Sequence, residues 1–119
     1  MTNSGKDNSR FLSHIIKSLE LINQYSSKMS KHDFYMEQEK QDAIIRRLEI
    51  IGEATKNLSE NFRKRYPDIP WKDMAGMRDI LAHKYFGIDL EIAWNTIQNK
   101  LPEVEPKIRE IYNLIEKND

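Results

Sequence analysis

From Arg10 to about Met29 the apolar residues Phe11, Ile15, Leu19, Ile22 and Tyr25 recur every three or four positions, with Leu12 and Ile16 widening the stripe. A turn of helix takes 3.6 residues, so this pattern predicts one long amphipathic helix that buries a single face. The run Ser30-Lys31-His32-Asp33 interrupts it, and either Ser30 or Asp33 suits the cap of a short helix carrying Phe34 and Tyr35. From about Gln38 to Leu58 the stripe returns as Ile44, Leu48, Ile51, Ala54 or Thr55, and Leu58, broadened by Ile45 and Ile50. That breadth marks the central core helix. Gly52 lies inside it, where glycine costs about 1 kcal/mol relative to alanine unless a close helix crossing needs the missing side chain.

Pro67 and Pro70 cannot occupy a helix interior, which places a connecting loop between Arg65 and Trp71, with Pro70 suited to the first turn of the next helix. Helical patterning resumes from Trp71 to about Tyr85, and Phe86-Gly87 ends it. Asp89 is a good N-cap for a helix through Trp94, Ile97 and Leu101. Pro102 then opens the last helix, with a stripe of Val104 or Glu105, Ile108, Ile111 or Tyr112, and Ile115. No segment alternates as a strand does. The expectation is an all-α chain, with a polar N-terminal tail over 1–9 and a single helical domain over 10–119.

Composition narrows the function classes. A chain of 119 residues suits one core. Lys+Arg and Asp+Glu are 19 each, so the net charge is zero and any contact with a polyanion must be local. Cysteine is absent, which excludes disulfides, thiolate metal sites and a thiol nucleophile, and fits a reducing compartment. No apolar run approaches the roughly 20 residues of a membrane span, and the polar start lacks a signal peptide's apolar stretch. A cytoplasmic location is expected. His14, His32 and His83 show no zinc-site spacing, so neither metal nor cofactor is expected.

Chemistry-bearing residues concentrate in Arg78-Asp79-Ile80-Leu81-Ala82-His83-Lys84-Tyr85. Asp79 and His83 are four apart and share a helix face, where a carboxylate can orient an imidazole and favour its charged form. Arg78 and His83, five apart, differ by roughly 140° around an ideal helix and converge on one group only if the helix end distorts or a second copy contributes. RNA cleavage needs a proton acceptor for the ribose 2′-hydroxyl, a donor for the leaving oxygen, and positive charge for the transition state. Histidine supplies the first two and arginine the third. The same spacing also fits an exposed ion-pair network on a helical interaction module.

Arg78-x4-His83-x-Tyr85 resembles the RX4HXY motif of HepT toxins in the HEPN superfamily. Three further segments resemble the family in the same order: Ile45 to Ala54, Tyr66 to Trp71, and Met77 to His83 continuing through Tyr85-Phe86-Gly87-Ile88-Asp89. The likeness runs from about Arg10 to Ile115. It implies a HEPN-type helical bundle that forms a two-fold homodimer, or a larger even-numbered assembly, with a composite cleft. It further implies metal-independent cleavage of an RNA substrate, and an adjacent minimal nucleotidyltransferase antitoxin that transfers AMP onto the motif tyrosine. On that basis Arg78, His83 and Asp79 are the catalytic candidates and Tyr85 the AMP acceptor. Arg46, Arg47, Glu53 and Lys84 are candidates for RNA contact or support, and Arg63-Lys64-Arg65 is a further basic run. Trp71 and Trp94 read as core or interface anchors. The rival reading is a non-catalytic HEPN dimer that binds a nucleotide or a nucleotidyltransferase partner as a scaffold.

Overall fold

The computed structural model describes residues 4–77, 79 and 89–117. Its frame is a pair of long helices, α1 (Ser4–Ser26) and α3 (Gln38–Asn57), packed along one another. Leu12, Ile15, Leu19 and Ile22 of α1 and Ile44, Leu48 and Ile51 of α3 are each no more than 2% exposed. Burying one such side chain contributes about 1.5–3 kcal/mol, so this seam is a main source of stability. Gly52 is buried within α3.

α1 begins earlier than its apolar stripe, and the expected tail over 1–9 is helical from Ser4 onward. Asn8 supplies a reason. It is buried at 3% exposure, its Oδ1 accepts the Ser59 N–H at 3.0 Å, and its Nδ2 donates to Ser59 Oγ at 3.3 Å. A polar residue therefore does structural work that hydrophobic periodicity does not register.

Both cap candidates act together at α2 (Lys31–Met36): Ser30 Oγ accepts the Asp33 N–H, and the Asp33 carboxylate accepts the Ser30 N–H. Phe34 is buried and lies 5.5 Å, ring to ring, from Trp94. The Gln41 amide donates to the Phe34 carbonyl at 3.1 Å and ties the α2–α3 corner.

A short helix, α4 (Glu60–Arg65), has no counterpart in the apolar pattern. With Phe62 its single buried apolar residue, it is too short for periodicity to reveal; its signal is Ser59, whose hydroxyl accepts the Phe62 N–H at 3.1 Å. The proline loop follows as expected. Trp71 closes it, 6% exposed, with its indole N–H donating to the Tyr66 carbonyl at 2.9 Å.

The helix expected from Trp71 to about Tyr85 is interrupted. α5 spans only Trp71–Ala75; the Gly76 N–H donates to the Lys72 carbonyl at 3.0 Å, and helical structure returns at Met77 and Asp79. Glycine is a weak helix former, which makes this the point where the turn tightens. Beyond the segment that is not described, Asp89 caps α6 (Leu90–Asn95) by accepting the Ile92 N–H at 3.1 Å.

α6 runs through one turn of π-helix, Thr96–Lys100, into α7 (Leu101–Lys117). Pro102 thus sits at the second position of α7 without separating it from α6. Proline lacks the N–H and crowds the carbonyl four residues back, here Gln98, and a wider turn just ahead of it relieves that crowding. The Leu101 N–H reaches the Thr96 carbonyl across this wide turn. α7 packs against α1 and has Leu101, Val104, Ile108 and Ile111 as its buried stripe, and α5 packs on α3. The described residues contain no strand.

Candidate active site

Of the catalytic candidates, Asp79 lies among the described residues. Arg78, His83, Lys84 and Tyr85 lie outside them. Asp79 directly follows Arg78 in sequence, so its position locates the start of the motif. Its side chain is 74% exposed, and its Oδ2 stands 3.8 Å from Lys56 Nζ of α3. Asp79 therefore lies beside the C-terminal part of α3.

That part of α3 carries a polar stripe. Arg46, Glu49, Glu53 and Lys56 are spaced by three, four and three residues, which stacks them along one side of the helix. Arg46 is exposed and 3.9 Å from the Glu49 carboxylate. Glu53 is exposed, one turn before Lys56, and its backbone carbonyl accepts from the Asn57 side chain at 2.9 Å. Arg47, half-buried, falls about 100° away from Arg46 and off this stripe.

The structure thus brings Glu53 to the same strip as the start of the motif, through Lys56, and puts Arg46 two turns away. Arg46 and Arg47 do not form a joint basic patch, because they face different ways and Glu49 stands beside Arg46. Lys56 was missed in the sequence. The signal that could have found it is its place three residues after Glu53, on the polar side of a helix whose other sides are apolar. An exposed Lys–Asp pair of this kind is worth about 0–1 kcal/mol. Lys56 therefore acts on the local field more than on the fold.

A second anchor holds the far end of the motif segment. Lys31 Nζ of α2 lies 2.7 Å from the Glu91 carboxylate in the first turn of α6. The hydrogen bond that Lys31 donates to the Glu91 carboxylate raises the Lys31 pKa above its ordinary 10.5. Exposed ion pairs thus link Asp79, within the motif, to α3 and Glu91, after it, to α2. Among the described residues, no group of three His, Cys, Asp or Glu side chains is placed to hold a metal ion. None of their helices is long and apolar enough to cross a membrane.

The family model for ribonuclease HepT-like proteins matches residues 15–111. The chain belongs to the HepT-like family. That places it in the HEPN superfamily, and its all-helical architecture is of the HEPN type. A Thermococcus cleftensis protein, provisionally named ribonuclease HepT, is 40% identical over 93% of this chain and 98% of its own length. A Caldanaerobacter subterraneus protein provisionally named as an RNase is 43% identical over 85% of this chain and 90% of its own. A Methanocaldococcus jannaschii protein, named as a gamma-glutamylcyclotransferase and provisionally as an RNase, is 46% identical over 95% of this chain, which spans only 51% of that longer relative. No solved structure is significantly similar to the chain.

Proposed function

We propose that this HepT-like protein is a metal-independent endoribonuclease, the toxin of a toxin–antitoxin pair acting in the cytoplasm. The observation that carries the reading is the intact Arg78-Asp79-x3-His83-x-Tyr85 motif inside the region that matches the ribonuclease family. His83 takes the proton of a ribose 2′-hydroxyl; the 2′-oxygen attacks the adjacent phosphorus, and the 5′-oxygen leaves with a proton given up by protonated His83, giving a 2′,3′-cyclic phosphate. Arg78 binds the phosphate and offsets the charge that builds on it. Asp79 is a positioning residue. Because residues five apart diverge by roughly 140° on an ideal helix, two copies related by a two-fold axis compose the cleft.

Tyr85 is assigned to regulation. In the presence of a minimal nucleotidyltransferase, its phenolic oxygen attacks the α-phosphorus of ATP, pyrophosphate leaves, and the phenolic proton is released. The attached AMP adds a negative charge and a bulky base where an RNA phosphate must sit, so inhibition needs no unfolding.

The test has two readouts. Wild-type protein in excess EDTA is expected to cleave single-stranded RNA at its metal-replete rate, and activity abolished by EDTA would overturn the metal-independent mechanism. Intact-mass measurement after incubation with the partner nucleotidyltransferase and ATP is expected to show AMP-sized additions that vanish in Tyr85→Phe. Unmodified wild-type protein beside an active partner would remove the switch.

A further inference from the structure

A cavity of about 370 Å3 opens between α5 and the π-turn, against the start of α7. Its apolar wall includes Met74, Met77, Leu101 and Val104, none more than 8% exposed. Met77 directly precedes Arg78, so one wall of the cavity is continuous with the start of the motif. Small-molecule sites usually span about 300–1,000 Å3 and pair apolar walls with a few polar groups, and this cavity has that makeup.

The polar groups are Asp73, Lys100 and Glu103 at the rim, all exposed, with Thr96 deeper in the wall. Among the described residues none of the three charged groups takes part in a salt bridge. Thr96 donates its hydroxyl proton to the Ile92 carbonyl at 2.8 Å and keeps its acceptor capacity. Thr96 and Lys100, the two ends of the π-turn, both line the cavity, and such turns are frequent at functional sites.

We propose that this cavity is a base subsite of the ribonuclease, which receives an unpaired, amino-bearing nucleobase of single-stranded RNA: adenine, cytosine or guanine. The inference rests on the ribonuclease reading above. A flat heteroaromatic ring uses both halves of the site. The thioethers of Met74 and Met77 pack against it, the Asp73 and Glu103 carboxylates accept hydrogen bonds from its exocyclic amino group, and Lys100 donates to a ring acceptor or phosphate. Uracil has no amino group, and its single N3–H donor is flanked by two carbonyl oxygens that those carboxylates repel. A hydrocarbon ligand would leave three charged groups without partners, and a small free anion would meet two carboxylates for one lysine. Sequence-selective proteins commonly read single-stranded RNA by splaying a base into a pocket of this type.

The experiment uses the full chain and short single-stranded RNAs that differ only in the base beside the cut. Amino-bearing bases are expected to be cleaved about 10-fold faster than uracil, within the range a good base contact supplies. In the Asp73→Ala/Glu103→Ala double variant, whose changes are both at exposed positions, that ratio is expected to fall toward one. A wild-type enzyme indifferent to the base, or a preference that survives in the double variant, would overturn the subsite. Should the wild-type chain cleave no RNA, the ribonuclease reading fails on its own. Calorimetric titration with cytidine, adenosine, guanosine and uridine 3′-monophosphates then decides the cavity separately. Binding of the amino-bearing nucleotides that the double variant loses supports it, and no binding in the wild type refutes it.

Discussion

The seam between α1 and α3 runs through uninterrupted helices of 23 and 20 residues, lined by aliphatic side chains that are almost wholly buried. Around the cavity the chain changes form repeatedly: a five-residue α5, a turn at Gly76, a six-residue α6, a π-turn, and then α7 with Pro102 at its second position. The first region needs only to bury one face of each helix, and a regular period does that. The second must surround a cavity with apolar walls and leave charged groups at its rim, which a regular helix pair cannot do. Irregularity here is the means by which polar side chains are placed around a cavity.

The comparison breaks most sharply in the seam. Leu48→Ala removes a side chain that is 0% exposed, and it is expected to lower stability by about 2–5 kcal/mol in a denaturant melt, with no alternative packing to fill the space. A loss below about 1 kcal/mol would mean the seam is not where stability resides.

A smaller effect is expected at the joint between the two regions. Ser59 caps α4 with its hydroxyl, which also accepts from Asn8 Nδ2 of α1, so Ser59→Ala should cost about 0.5–2 kcal/mol; Asn8→Ala should still destabilise that variant, because the backbone N–H of residue 59 keeps its bond to Asn8 Oδ1. Full additivity in that double-mutant cycle would show that the side-chain bond between Asn8 and Ser59 contributes nothing. The smallest expected change is a gain. Gly76 has a φ of −83°, and a Cβ there would first meet the Lys72 carbonyl at an ordinary 3.4 Å. Gly76→Ala is therefore expected to raise stability by about 0.4–1 kcal/mol, chiefly by restricting the unfolded chain. Destabilisation would show that the turn before the motif demands glycine.

The same division explains what could be read from the sequence. α3, the proline loop and the Asp89 cap follow from apolar period, fixed proline torsions and side-chain capping, all of which act within a few residues. The early start of α1 depends on Asn8 meeting Ser59, 51 residues away, and no local pattern carries it. α4 was hidden because one turn and a half cannot display a period. The π-turn was hidden because Pro102 ordinarily signals a helix start, and the chain instead widened the turn ahead of it. At the candidate site, residue chemistry and the family resemblance identified the motif, whereas Lys56 became visible only when α3 and Asp79 were placed together. The cavity walls come from two separate segments, 70–77 and 92–104, so their meeting is a property of the fold.

The central claim is that the motif cleaves RNA through His83, and one comparison tests it most directly. Purified wild-type and folded His83→Ala proteins are assayed side by side on the same single-stranded RNA in EDTA. Loss of a general acid/base is predicted to lower the cleavage rate about 10²- to 10⁴-fold, with the protein still folded by circular dichroism. A His83→Ala protein that cleaves at the wild-type rate would contradict the account.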